Sequence, residues 1–240
     1  MTAELPKRIQ LIDAIRGLCV VLMVVHHLMY DLVWMLGAPI WLFKNPVFDV
    51  LHYIFAGTFI FLSGVSSLFS RSNVKRGLKC IAAAVVITVV TYFLKNPIWF
   101  GILHFLGFCM VFYGLTAKLW DKIPRAAAPF IYIALLVASA ILIKQTGFVE
   151  AKWLWPFGFK TATFYSADYF PILPWVFVFL LGTWAGKYIR DGKMPRWFYT
   201  VEPKLFPSIG RKAFIVYLVH QPVLYGVVLL IKLIFFRHQI

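Results

Sequence analysis

Seven runs of roughly 17–23 mostly apolar residues dominate this chain, each about long enough to cross a bilayer as a helix. They fall at 18–36, 47–69, 78–94, 97–117, 126–143, 170–188 and 213–231. Hydrocarbon offers the backbone no hydrogen bonds, so each run must satisfy its own N–H and C=O groups as a helix. Of the 240 residues, 62% are hydrophobic and 14% charged, with a mean hydropathy of +0.82. A soluble domain is about 45–50% apolar and about 25% charged. The expected class is all-α: a polytopic membrane helix bundle of about seven transmembrane helices, forming a single domain over 1–240. No internal repeat, low-complexity tract or soluble domain interrupts it. The third run is short and lies between Lys79 and Lys95, whose ammonium groups can snorkel to the interfaces. Asn96-Pro97 then forces a tight hairpin into the fourth. The first apolar residues, near Leu11, precede no small-residue cleavage site, so this segment reads as a retained span and not as a signal peptide.

The net charge of +15 would suggest nucleic acid in a soluble protein. In a membrane protein the positive-inside rule accounts for it, and no nucleic-acid partner is expected. With the N-terminus in the cytoplasm, the inner segments hold 17 Lys and Arg residues, counting from Lys7, and the outer segments hold 7, ending at Arg237. The expected topology is therefore N-terminus inside and C-terminus outside, in the cell (inner) membrane with lipid as surrounding partner. Cys19, Cys80 and Cys109 lie in or beside apolar runs and read as small buried hydrophobes, not as a disulfide or zinc framework.

Against this background, His26-His27 and Asp31 stand out inside the first span. An ionisable group in a bilayer core is expensive and commonly faces a cavity or carries function. His27 and Asp31 are four residues apart, so they share a helix face. A carboxylate there can hold the imidazole in one tautomer and raise its basicity, giving a general base. By helix rise, His27 lies about 15 Å from the inner face, His220 about 12 Å from the same face, and His104 about 14 Å from the outer face. In a core about 30 Å thick all three fall near the midplane. His52 and Asp49 lie toward the outer end of the second span. Interhelical hydrogen bonding would explain one such histidine. Several at one depth beside a His-x-x-x-Asp pair point to function. Heme ligation is the rival for facing histidines. Zinc lacks a familiar ligand spacing, so no metal is expected.

Two basic features line the inner mouth. Arg16 follows Asp13 at the start of the first span, as a snorkelling anchor or as a phosphate ligand. Arg71, Lys75, Arg76 and Lys79 form a cluster that positive-inside statistics also explain. One outer loop is long, 145–169, and carries Trp153, Trp155, Phe157, Phe159, Tyr165 and Tyr169. An interfacial aromatic belt is the simpler reading; a lid or sugar-stacking surface is the functional one.

Several segments together resemble the heparan-alpha-glucosaminide N-acetyltransferase catalytic domain family, in its bacterial branch. They are Leu11-Ile12-Asp13-Ala14-Ile15-Arg16-Gly17 leading to His26-His27 and Asp31, then Ile60-Phe61-Leu62-Ser63-Gly64-Val65-Ser66. Asp168 through Trp175 and on to Gly182, and Gly210-Arg211 through His220-Gln221-Pro222, complete the set. The resemblance implies one transmembrane acyltransferase-like domain over 1–240. It implies acyl transfer, with acetyl-coenzyme A as donor, to an amine or hydroxyl of a sugar-type acceptor on the far side of the membrane. The animal lysosomal enzyme carries its key histidine after the first helix of the domain. Loop 37–49 of this chain has none, which moves the base role to His26 or His27. The chain is also shorter than the full family fold.

On that footing His27, oriented by Asp31, is the expected base, with His26 and His220 in the same catalytic set. His104, Gln221, Asp168 and Trp175 are the expected oxyanion or substrate contacts. Arg16, Arg71, Arg76 and Arg211 are the expected holders of the coenzyme A phosphates. A proton-coupled transporter or a non-catalytic carrier is the competing class, followed by a heme protein; paired halves typical of many transporters are absent from the sequence. The sequence leaves a homodimer open.

Overall fold

The computed structural model describes residues 8–235, so Lys7 and Arg237 of the charge bias lie outside the described residues. Within them the chain is all-α: α1 (Gln10–Leu36), α2 (Pro46–Ser67), α3 (Asn73–Phe93), α4 (Ile102–Trp120), α5 (Ala128–Thr146), α6 (Ile172–Arg190), α7 (Arg196–Thr200), α8 (Pro207–Arg211) and α9 (Ala213–Phe235). Seven of these are long and apolar enough to cross a membrane, as the sequence predicts. The helices group into two compact units. One contains the described residues up to Phe59 and from Met194 onward; the other is Ile60–Lys193.

In the first unit α1 begins at Gln10, eight residues before its apolar run. Asp13 explains the extension. Its side chain is buried, and Arg8 Nε (2.5 Å) and Arg16 Nη1 (2.9 Å) both donate to it. The short α8 lies across this end of α1 at backbone contact: a Cβ on Gly17 would strike the Phe206 carbonyl, and one on Gly210 would strike the Asp13 carbonyl. At its other end α1 stops at Gly37 (φ 71°), where the Ala38 N–H bonds the Leu32 carbonyl at 3.2 Å. This wrap of the last turn satisfies a carbonyl that the helix leaves open. α9 packs along α1 and carries Pro222 in its interior, which removes one N–H from the helix ladder beside His220 and Gln221.

The second unit is built on glycine. A Cβ on Gly64 of α2 would strike the Phe179 carbonyl of α6, and one on Gly182 of α6 would strike the Phe61 carbonyl of α2. Gly77 of α3 and Gly107 of α4 meet in the same way. Without a hydrophobic drive between helices in lipid, such small residues let backbones approach and gain van der Waals contact. Phe105, Phe179, Ile60, Leu180 and Cys109 fill the remaining space and are almost fully buried. At one end α6 is tied to loop 121–125: Lys187 pairs with Asp121 (2.5 Å), Arg125 with Asp191 (2.6 Å), and Trp184 Nε1 donates to the Arg125 carbonyl (2.8 Å).

The fourth span departs from expectation: its helix starts at Ile102, not at Pro97. Residues 96–101 instead run extended beside 166–170. Phe170 N–H bonds the Phe100 carbonyl (2.8 Å), Ala167 N–H bonds the Pro97 carbonyl (3.0 Å), and Tyr165 donates to Asn96 Oδ1 (2.8 Å). The aromatic loop folds onto this strip. Trp155 stacks on Phe164, and the half-buried Tyr169 donates its hydroxyl to the Trp155 carbonyl at 2.5 Å. Trp153 and Tyr165 remain exposed, as an interfacial belt requires.

Two outcomes follow from this packing. Gly182→Ala lowers the stability read by thermal unfolding in detergent by about 1–3 kcal/mol, whereas Gly226→Ala, with open space around it, leaves the transition in place. Burial pushes the Tyr169 hydroxyl from 10.0 up to about 12. Burial favours the neutral phenol, so its contribution to stability is complete below pH 10 and disappears as the pH rises through about 12. A phenolate absorbance titration, taken as the difference between the wild type and Tyr169→Phe, should isolate one group titrating near pH 12.

Candidate functional site

The first unit collects polar side chains that the apolar sequence of its helices does not lead one to expect. Asp31 on α1 is 2% exposed, and Gln221 Nε2 on α9 donates to both of its oxygens, at 3.0 and 3.1 Å. The orienting contact expected between Asp31 and His27 is therefore replaced by one that joins two helices 190 residues apart. The spacing of four on α1 places His27 and Asp31 on one face, but α9 supplies the donor.

His27 finds a different partner. Its ring lies face to face with that of His220, with centres 4.9 Å apart and planes 12° from parallel. That separation leaves no room for a macrocycle between the two rings, so this pair is not a heme clamp. His220 Nδ1 is 2.7 Å from the Tyr217 carbonyl. A carbonyl only accepts, so Nδ1 carries the proton and Nε2 keeps its lone pair. Among the described residues that Nε2 is buried with no hydrogen-bond partner, and so is the neighbouring Gln221 Oε1. An unused buried acceptor is uncommon enough to need an explanation. Two on adjacent residues, beside a second imidazole and a carboxylate, form an arrangement able to accept hydrogen bonds from a donor.

His26 points its ring away from this pair, toward α2. It lies 4.5 Å from the ring of His52, 4.9 Å from Phe43 and 6.1 Å from Phe55. His52 received no role from the sequence. The available signal was its place on the α2 face one turn after Asp49, opposite a histidine on α1.

At the other end of α1, Arg16 is already engaged by Asp13. Arg211, exposed, directly follows Gly210, whose backbone touches α1 at Asp13 and Gly17. Arg16 and Arg211 thus share one end of this unit.

The remaining expected site residues belong to the second unit. His104 on α4 meets Thr88 Oγ1 at 3.0 Å. The Thr88 hydroxyl proton goes to the Ile98 carbonyl (2.6 Å), so His104 Nε2–H is the donor. Phe100 stacks on its ring. His104 thereby ties α4 to α3 and to the extended strip. Asp168 Oδ2 accepts from the Ile102 N–H at 3.0 Å, satisfying one of the open donors at the start of α4. Trp175 packs its ring 5.5 Å from Phe170. Arg71 and Arg76 are exposed, and Arg76 reaches the Ser66 carbonyl at 3.5 Å. No group of three or more His, Cys, Asp or Glu side chains among the described residues could hold a metal ion.

Comparison with known proteins adds one finding. The sequence model of the family described as "Heparan-alpha-glucosaminide N-acetyltransferase, catalytic" matches residues 8–222, a span that takes in all the residues above. No curated protein and no solved structure gives a significant match.

The Asp31–Gln221 contact predicts a specific pattern of stability. Gln221→Leu strands a buried carboxylate and should lower stability by about 1–3 kcal/mol. Replacing both, as Asp31→Leu with Gln221→Leu, should recover most of that loss, because the pair then disappears without leaving an unmatched group. Thermal unfolding of the three proteins in one detergent makes the comparison.

Proposed function

The chain belongs to the heparan-alpha-glucosaminide N-acetyltransferase catalytic family, and from that premise we propose that it is a membrane-embedded acyltransferase that uses acetyl-coenzyme A. Membership suggests a multi-pass membrane acetyltransferase acting on sugar-type acceptors. The finer reading is that the thioester enters from the cytoplasmic side and the acceptor, an amine or a hydroxyl, from the opposite side. The bias of Lys and Arg toward the N-terminal side supports that direction. The whole chain, 1–240, is taken as one acyltransferase-like domain in the cell membrane.

The observation that carries the chemistry is the His27–His220 pair with its unused Nε2. In the proposed step, the acceptor N–H or O–H proton passes to His220 Nε2 while the nitrogen or oxygen attacks the thioester carbonyl. The new C–N or C–O bond forms, the C–S bond breaks, and the proton returns to the leaving sulfur. His27 lies against the imidazolium that forms and shares the base role. Asp31 acts through Gln221: it fixes the amide so that Oε1 faces the acceptor, which makes Asp31 a positioning residue. Arg16 and Arg211 stand where they could meet phosphate groups, and Arg71 and Arg76 are assigned the same task. Within the second unit, His104, Asp168 and Trp175 are proposed as substrate contacts beside the extended strip and the aromatic loop.

The test uses purified protein in nanodiscs, with thiol release from acetyl-coenzyme A followed over a panel of amino sugars and neutral sugars. His220→Ala and His27→Ala should each lower kcat by about 100-fold or more, with smaller changes in KM. Wild-type turnover surviving in both variants would remove the histidine pair from the mechanism. Transport of the acceptor without thioester consumption would assign the protein to the competing class.

A further inference from the structure

We propose that His220, His27, His26 and His52 form a proton relay leading from the buried base to Asp49 at the start of α2. The four rings follow one another at centre spacings of 4.9 Å (His220 to His27), 5.9 Å (His27 to His26) and 4.5 Å (His26 to His52). His27 and His220 are stacked face to face, so passage of a proton between neighbouring rings requires the imidazoles to rotate out of their resting contacts, with a water bridging where nitrogens stay apart. His220, whose Nδ1–H is held by the Tyr217 carbonyl, takes and passes the proton at Nε2, whereas the imidazoles of His27, His26 and His52 can take a proton at one nitrogen and release one from the other. His52 is followed by Asp49, one helical turn earlier on the same face and exposed in the first turn of α2.

The walls of the path fit this role. Phe43 and Phe55 lie against His26, and Phe55 lies against His52 at 5.3 Å. Other titratable groups near the row are Tyr217 beside His220, Asp31 held by Gln221, Tyr30 beyond Phe43, and Tyr53 beside His52. Lys44, the nearby cation of the loop after α1, lies over the Trp34 ring. The four imidazoles thus follow one another between apolar side chains.

The proposal rests on the acyltransferase reading and supplies something that reading needs. An amine acceptor enters at neutral pH as R–NH3⁺. The amide product keeps one of its three protons and the thiol takes a second. The third must leave before the nitrogen lone pair can attack, and nothing in the balance of bonds consumes it. The relay carries that proton from His220 to Asp49 and out. A hydroxyl acceptor has no such surplus, so its transfer does not need the relay.

The experiment combines two readouts on the full chain in nanodiscs, comparing the wild type with His52→Phe, His26→Phe and His52→Gln. For an amine acceptor, the relay predicts a kcat that falls by about 100-fold, an unchanged KM, and recovery on adding free imidazole. Transfer to a hydroxyl acceptor should be unaffected in the two His52 variants. Loss of kcat without imidazole rescue, a rise in KM alone, or wild-type turnover in all three variants overturns it. The second readout is nitrogen-15 NMR of the histidine rings, which needs no turnover. The relay predicts that proton exchange at His27 and His220 slows when His52 is replaced; unchanged exchange overturns it. If the wild type transfers no acyl group yet exchange still slows in His52→Phe, the acyltransferase reading fails and the relay stands.

Discussion

Hydrocarbon cannot hydrogen-bond, and every feature of this protein answers to that constraint. Seven segments become helices because only a helix satisfies its own backbone in lipid. Side chains that still need a partner must then find it on another helix. In the first unit the Asp31–Gln221 contact is that solution, and it fixes α9 against α1 at the depth of the histidine pair. His27, His220 and the unused nitrogen of His220 take their places because this contact holds the two helices in register. His220 Nε2 and Gln221 Oε1 are buried beside this contact without a hydrogen-bond partner among the described residues, which is costly in a buried position.

Polar residues elsewhere resolve the same constraint in favour of structure. His104 spends its Nε2–H on Thr88, Asp168 covers an open backbone N–H of α4, and Arg16 neutralises a buried Asp13 together with Arg8. Each is as conspicuous in the sequence as His220. The difference lies in bookkeeping of donors and acceptors: their hydrogen bonds are made within the protein, whereas those of His220 and Gln221 are not complete.

Close helix contact supplies the rigidity such a site needs. Gly64 with Gly182 and Gly77 with Gly107 bring backbones together in one unit, and Gly17 with Gly210 does so in the other. In lipid the gain is van der Waals contact, which rewards small residues and tolerates no added methyl group. The aromatic loop over 147–171 is ordered by similar means. Tyr169, Trp155 and Phe164 pack on one another, and the extended strip before α4 pairs with its end.

The sequence by itself determined the class, the number of spans and the family, because hydrophobic run length and local motifs are properties of contiguous residues. It also singled out His26, His27, Asp31, His220 and Gln221, because charge and amide in an apolar run are visible without coordinates. It missed the partners. Helical spacing offered Asp31 to His27, but a side chain bonds what its neighbours across the interface present, and that was Gln221. The start of α4 moved from Pro97 to Ile102 because residues 96–101 found hydrogen bonds in a loop about 70 residues away in sequence. His52 joined the histidine row only when α2 was placed beside α1. Such pairings depend on helix rotation and register, which are set by packing between distant segments, and only the tertiary structure decided them.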